Sequence, residues 1–338
     1  MTVSDIQVLT TVAELRAFRA ECYSRNLTVG FVPTMGSLHQ GHLTLVSSSL
    51  NENDITIVSI FVNPSQFAPS EDLDSYPRNL TGDLSLLDSV HGSQINSKGQ
   101  TNTTSSTQNI KKVNCVFAPT VTEMYPSGIP LELDQQKGAF VSVLGPSEPL
   151  EGQSRPQFFR GVATVVNKLF NVTHPTRAYF GQKDIQQSIV IKRMVKDLLM
   201  GLEVRVIPTV RESTGLALSS RNAYLGEAEK VQAVVIYDSL TLVEKIYNEK
   251  CNSSTNTITI GELKSMVTSK IQEKNKDYMI DYVDFNDAET LDYLDGSKVV
   301  DPSRGAILSL AVKVPNDNND LSKGFTRLID NLVLPSTV

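Results

Sequence analysis

The chain has 338 residues, of which 40% are hydrophobic and 20% charged, enough to bury a sizeable core and long enough for two domains. A formal net charge of −6 excludes a broad basic face for gripping nucleic acid, though not a local basic pocket for phosphate. Three dispersed cysteines (Cys22, Cys115, Cys251) and four histidines form no metal-ligand spacing, and they read as thiols of a reducing compartment.

Strands and helices alternate through the first two-thirds. Thr11–Arg25 reads as a helix with Leu15 and Phe18 on one face, and Leu27–Val32 as a buried strand stopped by Pro33. A Gly-containing turn leads to a helix over Gly41–Leu50, then to the β-branched strand Asp54–Val62, ended by Asn63-Pro64. Val113–Ala118 is the next strand, Gly161–Asn171 a helix, Arg177–Gly181 a strand, Asp184–Leu199 a helix and Glu203–Val210 a strand. This order predicts an α/β fold, a doubly wound parallel sheet covered on both faces. Between them, His91–Lys112 is rich in Ser, Thr, Asn and Gln and nearly free of large apolar side chains. It cannot offset its ordering entropy by burial and is expected to be a disordered insertion. Beyond residue 210 two helices (Glu227–Lys250, Ile260–Lys274) precede two strands (Tyr278–Phe285, Ala306–Val314), which predicts a smaller α+β domain. The expected division is 1–209 and 210–338.

The N-terminus lacks the charged-then-apolar pattern of a secretion signal and holds Asp5, Glu14 and Glu21, which a mitochondrial transit peptide avoids. No apolar run reaches membrane-spanning length. A cytoplasmic location is the expectation, and the five N-x-[ST] sequons are then idle.

Two short segments concentrate chemistry. Val32–His42 (VPTMGSLHQGH) carries a strand through a tight turn at Gly36 into a helix opened by His39-x-Gly41-His42. A helix N-terminus offers unpaired N–H groups and a positive dipole end, both suited to phosphate. Gly41 is expected to leave room for a nucleotide base, and the two histidines share a helical face. Taken alone, HxGH is equally well read as two polar residues capping a helix. Downstream, Gly215–Asn222 (GLALSSRN) sets Ser219 and Ser220 beside Arg221, a compact anion site that, alone, is better read as an ordinary helix cap.

As a pair, HxGH after an early strand and a Ser/Arg loop after a late one resemble the nucleotidylyltransferase superfamily, which includes the class I aminoacyl-tRNA synthetases with their HIGH and KMSKS blocks. The resemblance narrows further. PTMGSLHQGHLTLV, VSIFVNPSQF, YPRNL, LEGQSRPQFFRGVATVVNKLF, AYFGQKDIQQ, RESTGLALSSRN and RLIDN stand in the order and spacing of the pantothenate synthetase (pantoate–β-alanine ligase) family, from about residue 30 to 332. That likeness implies a Rossmann-like first domain, a lid-like second one and a homodimer. It implies ATP-dependent condensation of D-pantoate with β-alanine through a pantoyl-adenylate, with Mg²⁺ accompanying ATP and no role for nucleic acid or membrane.

Site roles follow from the same likeness. Pro33, Thr34, Met35, Gly36, Ser37, Leu38, His39, Gln40, Gly41 and His42 would form the ATP cradle, His42 assisting adenylyl transfer with His39 beside it. Gly181, Gln182, Lys183 and Asp184 would bind ATP, Lys183 at phosphate and Asp184 at the ribose. Val210 would touch adenine, and Leu218, Ser219, Ser220 and Arg221 would close over the triphosphate. Gln66 would bind pantoate and border the β-alanine site, and Gln187 would be the second pantoate amide. Phe61, Val165 and Val166 could pack the pantoate methyls or be plain core. Asp83 is the candidate ligand for the metal. Against the family pattern, Ser65 and Leu218 stand where Met is usual, Gln182 where Glu is usual and Phe158 where His is usual. Rival readings are a nucleotidylyltransferase that keeps its nucleotidylated product, a tRNA synthetase, for which a basic anticodon-binding domain is missing, and a non-catalytic relative. The last would be expected to lose His42, Lys183 or Arg221, and all three are present.

Overall fold

In the computed structural model of the chain, residues 6–68, 73–74, 76–92, 111–251 and 258–335 are described. Most of the His91–Lys112 insertion, Ser93–Ile110, lies outside them. In chain order the elements are β1 (Gln7–Leu9), α1 (Val12–Ser24), β2 (Val29–Thr34), α2 (Gln40–Glu52), β3 (Ile55–Ile60), α3 (Leu80–Asp88), β4 (Cys115–Phe117), α4 (Val121–Met124), α5 (Glu151–Ser154), α6 (Phe158–Thr173), β5 (Arg177–Gly181), α7 (Ile185–Asp197) and β6 (Glu203–Ile207). They continue with α8 (Glu227–Ala233), α9 (Val235–Cys251), α10 (Ile260–Lys274), β7 (Met279–Asn286), β8 (Ala306–Pro315) and β9 (Phe325–Leu334).

The first six strands form one parallel sheet in the order β1-β4-β3-β2-β5-β6. Period-two alternation sorts their side chains into two cores. Phe31, Ile57, Cys115, Phe117, Ala178 and Phe180 face one way, with Leu15 of α1, Val162 and Phe170 of α6, and Ile191 and Met194 of α7. Val32, Val58, Val116 and Tyr179 face the other, with Leu45, Val46 and Leu50 of α2 and Leu87 of α3. Both faces of the central strands are therefore buried, which explains why β2 and β3 read as mainly apolar segments without alternation. From β2 the chain winds outward through β3 and β4, then returns to add β5 and β6 on the other side. The winding therefore reverses between β2 and β5, and ligands of such sheets gather beyond the carboxyl ends of the strands at that reversal. The chain leaving β2 is Met35–His42, and the chain leaving β5 is Gln182–Asp184.

The second sheet is antiparallel, β7-β8-β9, with β8 paired along its full length to β9. Its core joins Val283, Phe285, Leu308, Leu310 and Val312 to Leu240, Val243 and Tyr247 of α9 and to Leu263 and Val267 of α10. The chain divides into two compact units, Met1–Val143 with Arg155–Gly181 and Val190–Ile207, and Leu144–Ser154 with Gln182–Ile189 and Pro208–Val338. The second unit thus takes in two stretches from ahead of residue 210.

The Rossmann-like and α+β architectures match the sequence expectation, with differences of detail. β1 is too short to show alternation, and α3 lies in a segment without a clear apolar period. β9 was not expected as a strand because Arg327, Asp330 and Asn331 interrupt its apolar pattern. The single helix expected over Glu227–Lys250 is two, although Val234 between them keeps a right-handed helical backbone (φ −55°, ψ −25°).

Candidate active site

The loop after β2 is held by its own backbone chemistry. Thr34 Oγ1 donates to the Ser59 carbonyl at 2.7 Å and accepts the Gly36 N–H at 3.2 Å. Gly36 and Ser37 both take positive φ, +85° and +52°, which turns the chain sharply off the strand end. The Asp83 carboxylate, 3% exposed, accepts the Ser37 N–H on one oxygen at 3.0 Å and the Leu38 N–H on the other at 2.8 Å. Asp83 was the candidate metal ligand. Its oxygens hold the loop backbone, and among the described residues no group of three His, Cys, Asp or Glu could hold a metal ion.

His39 and His42 cap α2 together. His39 is the N-cap, its Nδ1 accepting the Gly41 N–H at 3.1 Å, and His42 Nδ1 accepts the His39 N–H at 3.3 Å. The arrangement is a capping box built from imidazoles, with ring centroids 4.2 Å apart. Both bonds are met by the neutral tautomer that carries its proton on Nε2, which makes Nε2–H the ring donor. The capping and phosphate-binding readings of HxGH are therefore compatible: one ring nitrogen orders the helix end, and the other is a donor. A Cβ at Gly41 would lie 2.8 Å from His39 Cε1, so the missing side chain makes room for the histidine ring.

Gln66 sits in a short 3-10 turn, Pro64–Gln66, pressed against α6. A Cβ on Gly161 would come 2.2 Å from the Ser65 carbonyl oxygen, so this close approach requires glycine. Asn63, 1% exposed, donates to Gln66 Oε1 at 3.0 Å and accepts the Tyr125 O–H at 2.6 Å. With Oε1 taken, the Gln66 amide presents its Nε2 as donor, 3.1 Å from Met35 Sδ. Ser65, where the family usually has Met, joins the network through Tyr125 Oη at 2.8 Å and Asn63 Oδ1 at 3.0 Å. Burial pushes the Tyr125 phenol up to about 12, so it stays a donor. Arg155 donates to the Gln66 carbonyl at 3.2 Å and lies 3.9 Å over the ring of Phe158, the residue that replaces the usual His. Phe61, Val165 and Val166 are 6%, 6% and 4% exposed and belong to the sheet core.

In the second unit, Gln182–Asp184 form a 3-10 turn with Lys183 Nζ 3.6 Å from Asp184 Oδ1. Of the two neighbouring glutamines, Gln186 is buried and committed, donating to the Pro146 and Pro149 carbonyls and accepting the Glu151 N–H. Gln187 is only partly buried, which suits a ligand-facing amide. Val210 accepts the Leu218 N–H at 3.0 Å, closing the loop between them. Ser219 is the N-cap of the 3-10 turn Ser220–Tyr224, taking the Arg221 N–H at 3.2 Å, while the Arg221 side chain is exposed. Here too a capping serine and an outward basic residue coexist.

Asn63 and Tyr125 were absent from the expected set, although Asn63 stood inside the quoted NPSQF block. Tyr125 is remote in sequence from every residue it orients, so no spacing could reveal it.

Nearly the whole chain, residues 7–333, matches the family model described as pantoate-beta-alanine ligase. The pantoate--beta-alanine ligase of Saccharomyces cerevisiae is 44% identical over 309 residues, 91% of this chain and 92% of that one. A pantothenate synthetase of Herpetosiphon aurantiacus is 43% identical over 329 residues, 97% of this chain and all of the other. Among solved structures, the pantothenate synthetase of Thermus thermophilus superposes with a TM-score of 0.76 at 38% identity, over 97% of this chain and 99% of that one. The pantoate-beta-alanine ligase of Francisella tularensis, complexed with beta-gamma ATP and beta-alanine, gives 0.65 at 28% identity over 97% of each chain.

Proposed function

The chain belongs to the pantoate–β-alanine ligase family, and from that membership we propose that it joins D-pantoate to β-alanine at the expense of ATP, by way of a pantoyl-adenylate. The observation that carries the reading beyond the family is the imidazole capping box, which fixes both histidine rings by their Nδ1 atoms at the N-terminus of α2.

In this reading the loop from Pro33 to His42 takes the nucleotide phosphates. His42 and His39 donate to the α-phosphate as charge builds there, and Lys183 and Arg221 neutralise the departing pyrophosphate. Asp184 takes the ribose hydroxyls and Val210 the adenine. Gln66 and Gln187 hold pantoate through neutral amides, which fix its carboxylate and hydroxyls without competing as nucleophiles. Asn63 supports this by occupying Gln66 Oε1, so that the amide offers N–H to the carboxylate. The carboxylate attacks the α-phosphorus and pyrophosphate leaves. The amine of β-alanine then attacks the acyl carbon, and AMP departs with the bridging oxygen. No side chain acts as nucleophile, because the phosphoanhydride supplies the leaving group, and catalysis is positioning and charge stabilisation.

The donor set offers no protein cage for Mg²⁺ among the described residues, so the metal is assigned to the triphosphate and enters as MgATP. No helix among the described residues is long and apolar enough to cross a membrane. Cys22 and Cys115 are buried thiols outside any disulfide, which fits the proposed cytoplasmic setting. A homodimer is proposed from family membership.

The test is product analysis after incubating the protein with ATP, D-pantoate and β-alanine. Pantothenate, AMP and pyrophosphate in equal amounts are expected. ADP as product, or a nucleotidylated pantoate that accumulates without amide, would replace this reading with another.

A further inference from the structure

The RLIDN block, Arg327–Asn331, has no part in the chemistry just described, yet its side chains reach three of the other blocks within its unit. Arg327 makes a two-pronged pair with Glu151 at 2.7 and 2.8 Å and donates from Nε to Asp281 at 2.9 Å. Asp330 holds the Arg211 guanidinium at 2.6 and 3.0 Å, and Arg211 also lies 4.0 Å over the Tyr237 ring and donates to the Gly215 carbonyl. Asn331 Nδ2 donates to the carbonyls of both Gln182 and Lys183, at 2.8 and 2.9 Å, while its own N–H reaches Asp330 Oδ1 at 2.8 Å.

Asp330 and Asn331 are 4% and 3% exposed, on a strand paired along its whole length to β8. Buried apolar residues of similar volume would stabilise such a strand at least as well as an Asp–Arg pair and an Asn. What polar side chains supply, and apolar ones cannot, is a directional hold on backbone at a register fixed to the residue. Here that hold falls on the backbone of Lys183 and on the loop that runs from Arg211 through Leu218 to Arg221.

We infer that Asp330 and Asn331 are positioning residues for adenylate formation: Asn331 fixes the turn that carries Lys183, and Asp330, through Arg211, fixes the loop that carries Ser219–Arg221. The inference rests on the reading of Lys183 and Arg221 as phosphate-binding groups.

Asn331→Ala separates this role from a merely structural one when the two half-reactions are measured apart. Pantoate-dependent exchange of labelled pyrophosphate into ATP reports adenylate formation. Conversion of pre-formed pantoyl-adenylate by β-alanine reports amide formation and requires folded protein. Exchange should fall about tenfold or more, mainly through a higher KM for ATP, while amide formation stays within about threefold of wild type. A lowered melting temperature with exchange unchanged, or both half-reactions falling by the same factor, overturns the inference. If the alanine protein does not melt cooperatively, Asn331→Ser, which keeps a hydroxyl donor, is read by the same criteria. Lys183→Ala is measured in parallel. If it leaves exchange intact, the phosphate reading of Lys183 fails and takes the inference with it, whereas loss of exchange in Lys183→Ala but not in Asn331→Ala removes the inference alone.

Discussion

Asp83→Asn tests whether the buried carboxylate holds the phosphate loop or a metal. The side chain takes one amide on each oxygen, Ser37 at 3.0 Å and Leu38 at 2.8 Å. Asparagine preserves the shape and one acceptor but turns an NH₂ toward the other amide, so one charge-assisted bond is lost and two donors face each other. A hydrogen bond to a charged group contributes about 1.5–3 kcal/mol, and an orphaned buried donor adds to the loss, so about 2–4 kcal/mol is expected. At roughly 2–4 °C per kcal/mol for a unit of 150–250 residues, that is a fall in Tm on the order of 5–15 °C. The released loop contains Ser37 at φ +52°, a conformation it would leave once the amide is free, and the His39 cap lies two residues on. Activity should therefore fall at temperatures where the protein is still folded. Scanning calorimetry and initial rates over a Mg²⁺ titration measure both effects. An unchanged Tm, with activity restored simply by raising Mg²⁺, would mean that Asp83 is a metal ligand and that the loop account is wrong.

His42→Ala should lower turnover on the order of 10²–10³-fold by removing one transition-state donor, with the fold intact, and should also cost about 0.5–2 kcal/mol because the His39 N–H loses its cap. Near-normal steady-state rates in purified protein would refute the assignment. Gln66→Ala and Gln187→Ala should each weaken pantoate binding by roughly 1–3 kcal/mol with little effect on ATP, as titration calorimetry would show. Equal losses for both ligands would make the glutamines structural. Replacing Ser93–Asn109 with a short Gly/Ser linker should leave Tm and activity nearly unchanged, because the Gly92 N–H and the Lys111 carbonyl already join the two ends at 2.9 Å. A large loss of either would show that the segment contributes to the fold or the reaction.

The centre of the sheet was legible because β2, β3, β4 and β5 are buried on both faces, so burial alone writes the pattern into the residue order. Phe31-Val32 or Phe117 beside Val116 needs no partner information to be recognised as strand interior. β9 was not legible, because Asp330 and Asn331 sit at buried positions where the pattern calls for apolar residues. They are tolerated there only because Arg211 and the carbonyls of Gln182 and Lys183 satisfy them, and those partners lie about 120–150 residues away. The site divides the same way. His39, Gly41 and His42 lie within four residues and could be read directly, although the closeness of Gly41 to the His39 ring could not. Asp83 and Tyr125 act by orienting other groups across long sequence separations, and only coordinates bring them together; Asn63 stands three residues from the Gln66 it orients, and its role shows only in the side-chain contact. Ser65, a departure from the family pattern, is explained by its bond to Tyr125, which a methionine could not make in the same way.

The central claim is that the carboxylate of pantoate is activated by adenylylation before the amine attacks. D-Pantoate labelled with ¹⁸O in its carboxylate, incubated with ATP and β-alanine, follows the oxygen that must bridge acyl carbon and α-phosphorus. The account predicts that each turnover leaves one ¹⁸O in the phosphate of AMP and the other in the amide carbonyl of pantothenate, read by mass spectrometry. Unlabelled AMP, with ¹⁸O in pyrophosphate or inorganic phosphate instead, would contradict it.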